Sequence, residues 1–294
     1  MKAVLLGGAL LGALTATASA ADFGRAAVGQ AIAPVSGYTS LYIGTTRWDN
    51  EDLDSETAHL FGGDSRVSVW VGQSVTLQFD VEAEATSNGF DDCCYDGDHR
   101  VHAVGGVHAS WRDGASLLGV FAGALGASVL DTGDDAAVMQ TFAGLEGQWY
   151  LGNLTLYAQA GGTWVTDVDS YGQDLWFLRG VARYFLSAND KVQIEAMYGQ
   201  GKFTGVGDGD AARAWTWGAS YEHRFNGPFS MFVEYAGLHN WNPTSDAYFV
   251  REHQVMLGAR VNFGAGTLVE NDRRGASLDL PKLARLMSWN YWNE

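Results

Sequence analysis

The sequence R-V-S-V-W-V-G-Q-S-V-T-L-Q-F-D-V-E-A-E-A spans residues 66–85 and alternates apolar and polar side chains on both sides of a short turn. Valines occupy every second position before the turn, and apolar residues do so after it from Val75 onward. A period of two residues is typical of a β-strand with one apolar and one polar face. The acids that alternate with the apolar residues exclude a strand buried on both faces. The stretch therefore predicts a β-hairpin.

The same unit recurs between residues 38 and 263. It gives about twelve strands of about 9–14 residues, joined by segments that alternate between about two to four and about eight to eighteen residues. Tilted strands of about 9–11 residues cross a bilayer, whereas strands of soluble sandwiches are shorter, about 5–6 residues. We expect an all-β fold: a single antiparallel transmembrane up-and-down β-barrel of about 12 strands, with short periplasmic turns and long extracellular loops such as Arg47–Asp64 and Ser87–His99.

The two ends of the chain do not follow this pattern. Residues 1–20 carry a lysine at position 2, continue in an apolar run and end in A-S-A, which predicts a secretory signal peptide. A membrane anchor is excluded because about 20 apolar residues are needed to span a bilayer. Residues 21–37 are expected to form a short periplasmic lead-in, residues 38–263 the transmembrane barrel, and residues 264–294 a periplasmic tail.

The patterned region resembles the bacterial outer-membrane β-barrel proteins of the porin-like kind. Its last strand, M-L-G-A-R-V-N-F at Met256–Phe263, is similar to the terminal assembly signal of that class, with a glycine, alternate hydrophobic residues and a final aromatic residue. The chain departs from the class because Met256 stands where a polar residue is usual and about thirty residues follow Phe263. The resemblance implies location in the cell outer membrane, contact with outer-membrane lipid and lipopolysaccharide, and insertion by the barrel assembly machinery.

The composition limits the classes of partner. The chain has a formal net charge of −16 and is rich in Trp, Tyr and Phe. Such acidity argues against nucleic acid as a partner, because phosphate binding needs clustered Lys and Arg. It fits attraction of cations and divalent-bridged contact with anionic lipid, and abundant aromatic residues are typical of water–lipid interfaces. No pattern indicates a cofactor or a metal site, and a homo-oligomer is left open.

If the apolar face of each strand meets lipid, the polar face lines a lumen. The side chains assigned to the lumen carry both signs of charge: Arg66, Asp80, Glu82, Glu84, Glu146, Arg179, Arg183, Glu195, Glu222, Glu234, Glu252 and Arg260. Such charges tune ion selectivity; alternatively, they neutralise each other and fill a narrow barrel. Turn lengths predict three cross-strand pairs, namely Arg66 with Asp80, Glu146 with Gln159, and Arg183 with Glu195.

Two features are candidates for chemistry. Cys93 and Cys94 are adjacent in an acidic loop, where a vicinal disulfide fits an oxidising compartment; metal binding and the lack of any role are the alternatives. His108 and Ser110 lie on one strand face, as the base and the nucleophile of an outer-membrane phospholipase would. Their parity points both side chains inward, and no third orienting residue is evident, so we interpret them as lumen filling.

The tail carries a helix start signal, Asp279 before Pro281. It predicts a short amphipathic helix in the periplasmic leaflet; a lumen plug, a partner-docking peptide and a cap without function are the alternatives. The expected function is passive diffusion of small solutes or ions through a polar, net acidic lumen, with no catalytic residues. A closed barrel that serves envelope integrity is the alternative, and an outer-membrane lipid hydrolase is the third hypothesis.

Overall fold

The computed structural model describes residues 33–50, 55–88, 99–130, 136–165, 172–204, 211–241 and 249–284. They form twelve strands and a short helix: β1 Val35–Asn50, β2 Glu56–Trp70, β3 Val75–Asn88, β4 His99–Arg112, β5 Ser116–Leu130, β6 Ala136–Leu151, β7 Leu154–Val165, β8 Gly172–Ser187, β9 Asp190–Thr204, β10 Ala211–Arg224, β11 Phe229–Trp241, β12 Phe249–Phe263 and α1 Leu268–Arg274. All neighbouring strands are antiparallel, and the sheet closes where β1 pairs with β12. The predicted antiparallel barrel is confirmed.

Closure pairs the first strand on both sides. Gly37 of β1 lies opposite Phe263 of β12 and opposite Val67 of β2. An open edge would leave backbone groups unpaired in hydrocarbon, at a cost of several kcal/mol each. Gly152 has a positive φ of 60° and lies in the two-residue turn between β6 and β7, where such a tight reversal needs a left-handed backbone.

The strands are longer than the sequence indicated. They contain 12–16 residues, so β1 and β2 include most of the stretch 47–64 that we expected to form a long acidic loop. Ala58 and Leu60 of β2 are buried inside the barrel. A strand needs only about 9–11 residues to cross a bilayer, so its end projects beyond the hydrocarbon, where polar residues are tolerated. The stretch 47–64 is therefore mostly strand, and the long loop expected there is not found.

Two of the three predicted cross-strand pairs are correct. Arg66 lies opposite Asp80, and Glu146 lies opposite Gln159. Both hairpins have regular hydrogen-bond ladders, so the residue pair nearest the turn determines every later pair along the two strands.

The third pair is wrong, because Arg183 lies opposite Gln193 rather than opposite Glu195. The β8–β9 turn has two residues instead of three, and the ladder shifts between Phe185 and Ser187. A β-bulge places two residues of one strand against one of its partner, which displaces the register beyond it.

The outer face of the barrel is apolar. Ile43 and Leu145 are each 66% exposed, as expected for side chains that lipid covers. Among the described residues no helix is long and apolar enough to cross a membrane. Exposed aromatic side chains lie near the strand ends: Trp111, Trp149, Phe225 and Phe229 beside the short turns, and Trp164 and Trp176 towards the opposite end. The apolar band between two aromatic belts places the barrel in an outer membrane.

Candidate functional site: a lumen filled by the C-terminal segment

The structure places every side chain that we assigned to the lumen on the inner face of the barrel. These are the acids Asp80, Glu82, Glu84, Glu146, Glu195, Glu222, Glu234 and Glu252 and the bases Arg66, Arg179, Arg183 and Arg260. Many of them are paired within the wall; Glu222, for example, accepts from Lys191 at 2.7 Å and from Arg260 at 2.8 Å. Much of the space between them is taken up by the chain's own C-terminal residues.

Residues 264–284, which we call the C-terminal segment, turn back into the barrel after β12. Gly264 has a φ of +78° and reverses the chain at the short-turn end. Helix α1 follows at that end, where Thr267 caps its first turn through a 3.0 Å side-chain hydrogen bond. The Val269 N–H donates to the carbonyl of Ala188 in the β8–β9 turn at 3.2 Å. Beyond α1 the segment runs into the lumen.

Residues 276–284 therefore lie in the lumen and not in the periplasm, as in the lumen plug that was one of the alternatives, whereas α1 stays at the short-turn end. Helix α1 lies before Asp279, at Leu268–Arg274. After Asp279 the chain is helical again at Leu283 and Ala284, and the amphipathic helix that we predicted for the following residues stays a prediction. Residues 285–294, like Cys93 and Cys94, lie outside the described residues, so the disulfide stays a prediction.

Asp279 is the charged centre of the segment. Its Oδ2 accepts from Arg183 Nη2 at 2.6 Å and lies 3.4 Å from Arg179 Nη2, and its Oδ1 pairs with Arg66 Nη1. The four side chains are only 1–11% exposed. Burial raises the pKa of the Asp279 carboxyl, but the charges of the three arginines lower it further, so its pKa lies well below the usual range. The carboxylate is thus ionised and bound through both oxygens.

Side chains of the wall also bind the backbone of the segment. Gln78 of β3 donates to the Leu278 carbonyl at 2.7 Å and accepts the Leu278 N–H at 3.2 Å. Gln159 of β7 donates to the Asp279 carbonyl at 2.7 Å. A carboxamide carries both a donor and an acceptor, so Gln78 supplies the two bonds that a neighbouring strand would otherwise make.

Beyond Asp279 the segment meets an apolar layer. Leu280 and Leu283 are 4% and 1% exposed. They pack among the inward-facing side chains Val104, Phe121, Leu125, Phe142, Leu175, Phe177, Met197, Ala214 and Leu238. Full burial of a leucine contributes about 1.5–3 kcal/mol. Charge therefore holds the segment at one level of the lumen, and apolar contact holds it at the next.

A cavity of about 100 Å³ remains beside the segment. Its lining includes Glu195, Glu222 and Arg260 of the wall and Asp279 and Lys282 of the segment. One water molecule needs a cavity of about 10–15 Å³, so this cavity has room for several. Polar space thus continues along one side of the segment.

His108 and Ser110 form hydrogen bonds or ion pairs with different side chains and not with each other. His108 Nδ1 lies 2.8 Å from Glu146 Oε1, and Nε2 lies 3.5 Å from Asp80 Oδ2. Ser110 Oγ shares a 2.6 Å hydrogen bond with Thr76. Both side chains are buried inside the barrel, on the side that their parity predicted.

Sequence reasoning missed that Asp272 and Asp279 belong to the lumen. Asp272 pairs with Arg183 at 3.0 Å and accepts from Thr155 at 2.6 Å. A signal existed, because the inward face of β8 carries Arg179 and Arg183 without an acid on the same face between them. Two buried cations without an acid on the same face of their strand need acidic partners from elsewhere in the chain.

No protein-family model matches the chain, and no curated protein matches its sequence. The fold does match solved structures. A crystal structure of an outer membrane channel from Pseudomonas putida F1 has a TM-score of 0.58 at 13% identity, covering 81% of this chain and 100% of that chain. The translocator domain of autotransporter NalP from Neisseria meningitidis has a TM-score of 0.51 at 9% identity, covering 88% and 97%. At these identities the likeness shows the fold alone. Together with the closed sheet and its lipid-facing band, it identifies the chain as an outer-membrane β-barrel protein.

Proposed function

We propose that the protein is an outer-membrane channel, in which small hydrophilic solutes or ions diffuse passively along a polar, net acidic lumen that the C-terminal segment narrows. The observation that carries this proposal is the charged cavity beside the segment. Its lining runs from Leu268 and Asn271 near the short-turn end to Phe232 and Met256 further inside. A barrel built only for rigidity has no need of such a charged space. The proposal involves no catalytic step.

The balance of charge in the cavity favours a weak preference for cations. The acids are Asp64, Glu82, Glu195, Glu222, Glu234, Asp272 and Asp279, and the bases are Arg66, Arg179, Arg183, Lys191, Arg260 and Lys282. The excess of acids is small, and most of these groups are paired. Rings of charge set selectivity through the field at the narrowest point, so the expected discrimination is modest.

A closed barrel for envelope integrity is the second candidate. It is favoured by the packing of Leu280 and Leu283 into the apolar layer, which leaves little of either side chain exposed. The two candidates differ in whether the polar cavity is continuous with solvent at both ends.

Single-channel recording of the full chain in a planar bilayer tests the proposal. A potassium chloride gradient across the bilayer gives the ion preference from the reversal potential. We expect small conductance steps. We also expect a reversal potential whose sign shows that cations pass slightly more easily than anions. A protein that inserts as a folded barrel but carries no current would favour the closed barrel. A reversal potential of the opposite sign would contradict the net acidic lumen.

A further inference from the structure

Three arginines of the wall converge on one carboxylate that is not part of the wall. Arg66 comes from β2, and Arg179 and Arg183 come from β8. Arg183 Nη2 and Arg179 Nη2 lie 2.6 Å and 3.4 Å from Oδ2 of Asp279, and Arg66 Nη1 pairs with Oδ1. Guanidinium groups bind carboxylates with directional, charge-assisted hydrogen bonds. The wall thus presents donors to both oxygens of a carboxylate.

Each of these arginines has another acidic partner, which leaves specific N–H groups for Asp279. Arg179 Nη2 lies 2.5 Å from Glu195, and Arg183 Nη1 lies 3.0 Å from Asp272. Arg183 Nε donates to Gln193 at 3.1 Å, and Arg183 Nη2 donates to Asp279. Asp279 is thus the acceptor for the Nη2 group. Loss of the Asp279 carboxylate would leave this buried donor unpaired, which is costly.

The neighbouring acids also restrict what else the arginines can hold. Arg66 lies 3.6 Å from Asp80 and 3.8 Å from Asp64, so the arginine charges are already partly neutralised. A dianion such as phosphate would add more negative charge than the arginines compensate. A single carboxylate adds less negative charge than a dianion and matches the two-oxygen geometry.

We propose that Arg66, Arg179 and Arg183 form a carboxylate-binding site of the lumen that Asp279 occupies in cis, and that small free monocarboxylates bind there in its place. The cavity gives such a solute access, because Asp279 and all three arginines line it. Occupation of the site by a free carboxylate does not depend on conduction or on the ion preference of the channel.

Chemical rescue of Asp279→Ala in the full chain tests the site. This change removes the carboxylate and leaves a space about the size of formate. Lys282 lies inside the barrel, where its Nζ is 3.4 Å from Glu82. A lysine-specific protease therefore cleaves after Lys282 only when the C-terminal segment leaves the lumen, and the cleavage rate, followed by mass spectrometry of the folded barrel in detergent, reports docking.

We expect Asp279→Ala to raise the cleavage rate at least about tenfold, since breaking a buried ion pair by removing one partner is strongly destabilising. Sodium formate should return the rate to near the wild-type value, while sodium chloride at equal ionic strength and neutral formamide should not. Asp113→Ala is the matched control, because Asp113 is an exposed acid of the β4–β5 turn, and formate should leave its cleavage rate unchanged. Adding Arg183→Gln to Asp279→Ala should abolish the formate effect.

The proposal is overturned if formate protects Asp279→Ala no better than chloride and formamide do. If the variant folds poorly in buffer alone, refolding yield with formate and with chloride replaces the cleavage rate. A selective gain with formate then supports the site, and equal yields overturn it. Because neither readout involves current, failure here leaves the channel proposal to be decided by the bilayer recording.

Discussion

Asp279 shows how a single side chain decides what fills the lumen. A buried charge costs several kcal/mol in lost solvation, and the cost is offset only where partners and hydrogen bonds are well placed. Asp279 meets this condition, because guanidinium groups bind both oxygens and Gln159 binds its backbone carbonyl. Removal of one arginine would break that compensation.

Arg183→Gln tests this balance. Arg183 pairs with both Asp279 and Asp272, so the substitution leaves two buried carboxylates short of a partner. Breaking a buried pair in this way costs about 3–5 kcal/mol, and we expect the C-terminal segment to undock more often and the single-channel conductance to rise. Arg274→Gln is the matched control, because Arg274 is exposed on α1. Equal conductance in the two variants would contradict a role for the Arg183 pairs in holding the segment.

The depressed pKa of Asp279 predicts the pH dependence of docking. Its usual value of 3.8 applies to the undocked segment, and the docked value is lower because of the arginines. The carboxylate therefore stabilises docking fully above the usual pKa, and this contribution is lost as pH falls through the docked pKa. We expect single-channel conductance to stay constant from pH 8 to pH 5 and to rise only below about pH 4. A rise between pH 7 and pH 5 would assign the control of docking to another group.

At the scale of single elements, the inward glycines of the strands make room for aromatic rings. A Cβ added to Gly144 of β6 would lie 2.3 Å from the Ala160 carbonyl oxygen and 2.5 Å from Phe121 Cζ. The first of these atoms is backbone and cannot move aside at low cost. By contrast, a Cβ added to Gly180 of β8 meets no heavy atom within 4 Å.

Gly144→Ala and Gly180→Ala therefore form a matched pair. Overpacking of a tight site costs about 1–3 kcal/mol, so we expect the free energy of unfolding of Gly144→Ala to fall by that amount. A substitution on the open outer face changes stability by about 0.5 kcal/mol or less. Urea unfolding of the two variants in lipid vesicles measures the difference. Equal stability would mean that the β6–β7 wall adjusts to the extra methyl group.

For single strands and hairpins, the sequence predicts the alternation of faces but not every register. The alternation in residues 66–85 gives the strands, their inward faces and the Arg66–Asp80 pair, because parity and a short turn determine register. The two-residue β8–β9 turn and the bulge at Phe185–Ser187 are not visible in the alternation, and together they displace Arg183 from Glu195 to Gln193. Local periodicity carries no information about an extra residue inserted next to a turn.

At the scale of the whole molecule, closure follows from the repeated hairpins, but the filled lumen does not. The partners of Asp279 lie 96, 100 and 213 residues away from it in the sequence. Such contacts depend on the register and tilt of every strand between them, so no local pattern in the tail indicates them. The apolar layer around Leu280 and Leu283 is likewise assembled from seven strands, namely β4, β5, β6, β8, β9, β10 and β11.

The most direct test of a lumen narrowed by the chain's own C-terminal segment is a comparison of single-channel conductance between the full chain and a chain that ends at Phe263. The shortened chain keeps all twelve strands and the closing β1–β12 pair, and its folding can be checked by resistance to heat and protease. We expect its conductance to be several times larger than that of the full chain, because the lumen then lacks Asp272, Asp279, Leu280 and Leu283. A folded, shortened barrel with unchanged conductance would contradict the claim that the segment narrows the channel.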